Sequence, residues 1–532
     1  SPPKQRQLWG ETQILPSDNW GQIFFDLFYV GGAYNLGNVI KTSDQNFRCI
    51  LYFCAAGFPS MMMWYDKLYF DARFTTRPGH DTFHRFIEIL QLCCVATALS
   101  RIRSVDILSH PCNHIDIFQF SVSLFLNSLL TIGRYVEVVK YVIGDPGSHA
   151  VARRDIKCRI IPSMLLLAAT IDSGISFYGG AGGECEVNER PIWFLLASWT
   201  SWVIIGYCDQ VIFAPKRQCI ETSVPLNVHF CMHRYGEWFM LMFGESIMSL
   251  LIVEGDNESF DHSVKFYSGV LSVIFFAHLH FQSEPHHNED HALTRSRHSN
   301  YLYTILAPIY SMALIATGIC YKMFLYDYQK GNYRRTLGDS SYGAEYTDTD
   351  NEENKQQFTA DLFSGSIATV LICTDMNALL HHGNQAIWNK FQTIPKFRLA
   401  LLITSKYLLV FFLAVMSAFQ NDPHFMAIFG LGAIIFQECL RRSFETWRQQ
   451  VVTVSNTDDS STDSEDTLGT CFTGYSADED YQYEIESFTD AKMALAKFEQ
   501  QGIVEAKPSA KVLHTPSKKM SDKVVTHSYY EF

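Results

Sequence analysis

The chain has 532 residues, 47% apolar, 14% aromatic and only 18% charged, with a net charge of −13. That balance excludes a nucleic-acid binder, whose footprint is basic. The gathering of apolar residues into long runs excludes a string of ordinary soluble domains.

Ser1–Asn19 is polar and contains Pro2, Pro3 and Pro16, so it reads as a cytosolic segment and not as a cleavable signal peptide. Windows of about 19 residues then predict twelve membrane-spanning helices. They lie near residues 20–40, 48–66, 83–101, 116–135, 158–178, 192–213, 234–253, 264–283, 301–324, 358–379, 397–418 and 424–440. The expected fold is an all-α, polytopic helical bundle, multi-pass in the plasma membrane or another cellular membrane, with the lipid bilayer as its first partner.

Loops after the even-numbered spans hold Lys67, Arg73 and Arg77, then Arg153, Arg154 and Lys157, then Lys216 and Arg217, then Arg295 and Arg297, then Lys390 and Lys396. The positive-inside rule makes that side cytosolic, together with both termini. Arg101 and Arg103 fall on the other side, as do Lys330, Arg334 and Arg335, which an acidic stretch up to Glu353 offsets. The one N-x-S/T sequon, at Asn257, falls on an outer loop open to glycosylation. Cys112 and Cys185 are outer-loop cysteines that could pair, or could stay free. The 14 cysteines form no CxxC.

Trp20-Gly21-Gln22 with Asp26 opens the first span, and Arg234-Tyr235-Gly236-Glu237 with Glu245 opens the seventh. An offset of about 219 residues also carries the second span onto the eighth and the third onto the ninth. This predicts two parallel six-helix halves, 20–233 and 234–445, between the 1–19 segment and an acidic, largely disordered tail over 446–532. From Val451 onward that tail carries −8 of the net −13. Its Ser/Thr/acid tract over 457–467 reads as a solvating linker or a kinase target, and Ile485–Gln500 as a short amphipathic helix.

An ionisable group inside a membrane span is a functional-site candidate by default. Acids outnumber bases here, with Asp26, Asp172, Glu237, Glu245 and Asp375 inside spans and Arg73, Arg85 and Arg234 near span ends. Buried carboxylates favour cations or protons; the plain alternative is structural pairing with a base on a neighbouring helix. Asp26 and Glu245 lie in the most distinctive strings.

Histidines recur four apart at His80/His84, His110/His114, His229/His233 and His287/His291. On a helix this spacing sets two imidazoles on one face, where they could share iron or zinc. No dinucleotide, P-loop or serine-hydrolase motif accompanies them. The segment Phe276–His298 holds six histidines with Glu284, Glu289 and Asp290 and reads as a flexible polar loop or a pH or metal sensor.

Three strings resemble those of a known family. Phe24-Phe25-Asp26-Leu27-Phe28-Tyr29-Val30 is similar to the FFDLVFV signature of the low-temperature-requirement protein A family. Trp64-Tyr65 through Asp71-Ala72-Arg73-Phe74 to Arg85 resembles its WxxYxxRF…R stretch, and Arg234-Tyr235-Gly236-Glu237 through Gly244-Glu245-Ser246-Ile247 resembles its RFG…LGExI segment. The resemblance implies a many-helix membrane protein with no firmly assigned biochemical activity, and marks Asp26, Arg73, Arg85, Arg234, Gly244 and Glu245. Gln22 departs from the family, which commonly places Glu there.

The leading expectation is a transporter or channel-like protein for a small cation or proton, or a solute coupled to one, with no cofactor required and a homo-oligomer compatible. A membrane metalloenzyme using the histidine pairs, and a non-transporting sensor or scaffold, are the alternatives.

Overall fold

In hydrocarbon every backbone N–H and C=O needs a partner within the protein, and a helix supplies these locally. The structure, a computed structural model, describes residues 3–6, 20–42, 47–75, 82–102, 114–142, 145–179, 188–213, 224–253, 260–285, 290–336, 349–391 and 396–458. Its helices are α1 (Trp20–Thr42), α2 (Phe47–Arg73), α3 (Thr82–Arg101), α4 (His114–Tyr141), α5 (Pro146–Gly179), α6 (Arg190–Tyr207), α7 (Val228–Leu251), α8 (Phe260–Ser283), α9 (Ala292–Arg295), α10 (Arg297–Thr336), α11 (Thr349–Phe391), α12 (Lys396–Val415) and α13 (Pro423–Asp458). A π turn, Cys208–Ile212, extends α6, and a 3₁₀ turn, Met416–Ala418, closes α12.

Each predicted segment falls on one long helix, and the four-residue α9 is the addition. Among the described residues, seven helices (α4, α5, α6 with its π turn, α8, α10, α11 and α13) are by themselves long and apolar enough to cross a membrane. Several overshoot: the 43 residues of α11 reach about 65 Å, twice the thickness of a hydrocarbon core. The helix α13 likewise runs past 446 to Asp458. The rest of the acidic tail, including most of 457–467 and all of Ile485–Gln500, lies outside the described residues, as do His80, His110, Cys112, Cys185, Asn257 and His287.

The centre of the bundle is α10, which packs against α1, α2, α7, α8, α11 and α13. Small residues let it approach closely, as membrane helices require. A Cβ at Gly318 would lie 3.0 Å from the Ser246 Cα of α7. Prolines interrupt α2 at Pro59 and α5 at Pro162. The following serines, Ser60 and Ser163, donate to the carbonyls of Ala56 and Arg159 at 2.7 Å, the back-bonding that accompanies bends in membrane helices. Outward faces are apolar: Met164 is 58% exposed and Phe411 65%. Lipid solvates such a surface; water would not.

One element has no counterpart in the sequence pattern. Lys4–Gln5 (β1) pairs antiparallel with Phe74–Thr75 (β2) just after α2. Arg6 continues the contact: its N–H donates to the Arg73 carbonyl at 2.8 Å, its Nε–H donates to the Asp71 carbonyl at 2.5 Å, and its guanidinium lies 4.4 Å from the Phe230 ring centroid at the start of α7.

Candidate functional site

Asp26 is the seventh residue of α1 and Arg234 the seventh of α7. Arg234 Nη2 donates to Asp26 Oδ1 at 2.6 Å, and both residues are buried. Trp64 of α2 donates its indole N–H to the same oxygen at 2.9 Å. Arg234 Nη1 turns to Glu237 Oε2 at 2.6 Å, and His233 Nδ1 lies 3.4 Å from Glu237 Oε1. All three family-like strings thus meet at one carboxylate. Asp26 Oδ2 is buried and has no hydrogen-bond partner among the described residues. Asp26, Glu237 and His233 line a cavity of about 1010 Å³ between α1 and α7.

A second charged layer joins α2 to its neighbours. Asp66 pairs with Arg159 of α5. Asp71 pairs with Arg134 of α4 at 2.8 Å and with Lys67 at 2.7 Å. Arg73 pairs with Asp155 at 2.7 Å, and Arg154 with Asp209 at 3.1 Å. Burial alone would raise the Asp71 carboxyl, but Lys67 and Arg134 outweigh it and hold the group well below the usual carboxylate range. Arg85, by contrast, is exposed on α3.

The predicted acids are not gathered at one point. Glu245 is buried on α7 and accepts from Ser249 Oγ at 3.3 Å. It stands eleven residues beyond Arg234, about 16 Å along the helix. Its countercharge is the buried Lys322 of α10, the one charge inside the 301–324 segment. Asp172 accepts from Asn188 at 2.9 Å. Asp375 pairs with Lys406 and accepts from Gln437 at 3.1 Å.

The histidine pairs take other partners. His84 lies 3.5 Å from both Glu137 and Glu88, with Arg134 Nη2 3.2 Å from its Nε2; a guanidinium there opposes a metal cation. His291 instead joins His381 of α11 and Glu284, the one cluster of three potential ligands among the described residues. His291 Nε2 is 3.6 Å and His381 Nε2 3.9 Å from the Glu284 carboxylate, to which Tyr303 donates at 3.1 Å. His291 Nδ1 accepts the Leu293 N–H at 3.1 Å, and His381 Nδ1 the Ala292 N–H at 3.0 Å. A neutral imidazole that accepts at Nδ1 carries its proton on Nε2. Both rings therefore present N–H groups to Glu284, where a metal would need lone pairs. Iron or zinc does not fit these tautomers. Burial alone would push the Glu284 carboxyl up, but the imidazoles of His291, His280 and His381 hold it down at about 2.

Sequence reasoning did not single out Trp64, Asp66 or Lys322. Trp64 stood in a quoted motif and Lys322 was a lone cation in an apolar run, so a signal existed for both. No curated protein and no solved structure matches the chain. A family model does: bacterial low temperature requirement A protein (LtrA), matched over residues 20–419. That match runs from the first residue of α1 to just past α12 and takes in every string that converges on Asp26, so the chain belongs to the LtrA family of membrane proteins.

Proposed function

We propose that this LtrA-family protein is a transporter or channel-like protein that moves a small cation or protons, or a solute coupled to them. The observation that carries the reading is the unsatisfied Oδ2 of Asp26 beside a cavity that Glu237 also lines. Two carboxylates face one guanidinium there, so with His233 neutral the cluster keeps one net negative charge. A buried carboxylate lacking a donor attracts a cation or a proton.

In this reading Asp26 and Glu237 form the entry station, Arg234 tunes their charge, and Glu245 with Lys322 forms a second station deeper along α7. Parallel six-helix halves are supported by the offset of 219 residues that carries Asp26 of α1 onto Glu245 of α7. The arginine- and lysine-rich loops support cytosolic termini.

The test is flux in liposomes carrying the purified protein under cation or pH gradients. Flux that falls at least ten-fold in Asp26→Asn and Glu245→Gln supports the assignment. Flux indifferent to both substitutions removes it.

A further inference from the structure

We infer that the groove between α1 and α7 binds a membrane-resident amphiphile with a protonated amine headgroup and an apolar chain. The inference rests on the reading of Asp26 as a cation site and names the class of cation. The groove has two chemically different parts. Its floor is Asp26 with Glu237; its walls are Ile23, Phe24, Leu27 and Met240. Those four apolar side chains are 45%, 52%, 59% and 60% exposed. Gly21 and Gly236 contribute no side chain and leave the groove open beside the carboxylates.

Size and lining disfavour a metal ion. A hard cation needs six or more oxygen ligands in a close shell, whereas this cavity of about 1010 Å³ offers two carboxylates, one imidazole (His233) and an apolar wall. It matches the upper range of small-molecule pockets, which pair apolar walls with a few polar groups.

Charge then selects the headgroup. Asp26 Oδ2 is buried without a donor, and an ammonium N–H supplies what it lacks. A neutral hydroxyl offers one uncharged donor, and a carboxylate or phosphate would meet net negative charge. Arg234 does not reverse that preference, because its single positive charge is outweighed by Asp26 and Glu237, each of which accepts one N–H from a terminal nitrogen. Depth agrees as well. Asp26 and Arg234 each lie six residues into their helices, about 9 Å along the axis, where an amphiphile at the interface holds its polar group while the chain lies in hydrocarbon.

The experiment uses the full-length protein in phosphatidylcholine nanodiscs, titrated with dodecylamine, dodecanol and dodecanoate, with ligand-induced thermal stabilisation as the readout. The expected result is an apparent affinity about ten-fold or more higher for the amine than for the other two, as a charge-assisted hydrogen bond provides. Glu237→Gln, which keeps the Asp26–Arg234 pair intact, should bring the amine toward the alcohol. Leu27→Trp fills the groove without touching a charge and should weaken binding of the chains alike. Equal binding of amine and alcohol overturns the inference, and so does an amine preference that survives Glu237→Gln or chain binding that Leu27→Trp leaves unchanged. Asp26-dependent flux of protons or metal ions without amine preference also overturns it and leaves the transport reading standing. Amine preference without any flux does the reverse.

Discussion

Arg234 is buried with Asp26 and Glu237 to balance it, and Asp26 is buried with it. Removing one partner of such a pair leaves an uncompensated charge, at a cost of about 3–5 kcal/mol. Arg234→Gln, which leaves the buried Asp26 unpaired, should therefore destabilise the purified protein by about that amount, and adding Asp26→Asn should restore part of the loss. Unfolding of the single and double variants in detergent reads both; additive losses would contradict the pairing. Asp71 makes a prediction about pH. Its folded carboxyl is held below the ordinary value of 3.8, so the group stabilises the fold above that value. The contribution is lost as pH falls below it. The melting difference between the natural protein and Asp71→Asn should be full at neutral pH and should close below about pH 4.

At the scale of helices, close approach is set by a few small residues. A side chain at Gly318 would press on the backbone of α7 at Ser246, whereas nothing lies within 4 Å of a Cβ at Gly244. Gly318→Val should cost about 1–3 kcal/mol by overpacking. Gly244→Ala should be neutral or slightly stabilising through helix propensity; thermal midpoints of the two variants decide. The four elements around Glu284 give a second expectation. His280 of α8, His291 beside α9, Tyr303 of α10 and His381 of α11 converge there, with N–H groups of His291 and His381 turned inward. Chelation with EDTA should leave the melting temperature unchanged, and added zinc should give no stoichiometric stabilisation. A shift of several degrees in either direction would restore the metal reading.

For the whole molecule, the exposed apolar surface predicts where charge is forbidden. Phe411 of α12 is 65% exposed, so Phe411→Lys should cost about 3 kcal/mol of insertion and lower the yield of membrane-inserted protein. A water-facing position would tolerate it. The helices were legible in the sequence because hydrocarbon permits few backbone solutions and an apolar run of that length is hard to conceal. Asp26 was legible for the converse reason, being a carboxylate inside such a run. Arg234 was legible as a base that tunes such acids, but its direct pairing with Asp26 was not, because it lies 208 positions away and nothing local encodes which distant base a carboxylate will meet. The same holds for His381, which meets His291 and Glu284 while His287 lies outside the described residues. Spacing of four identifies a shared helical face, but His291 stands outside a long helix, before α9.

The contact of Arg6 with Phe230 bears on the order in which the chain comes together as it is made. The strand partner Phe74–Thr75 is synthesised early, but Phe230 follows Arg6 by more than two hundred positions. At ribosomal rates of about 5–20 residues per second that interval is on the order of tens of seconds. During that time α1 to α6 have been made while Arg6 has no ring to cover. The strand pair can form once α2 is made, but the contact of Arg6 with Phe230 closes only when the nascent chain has reached α7. A nascent chain arrested before that helix should leave Arg6 more open to protease than the finished fold does.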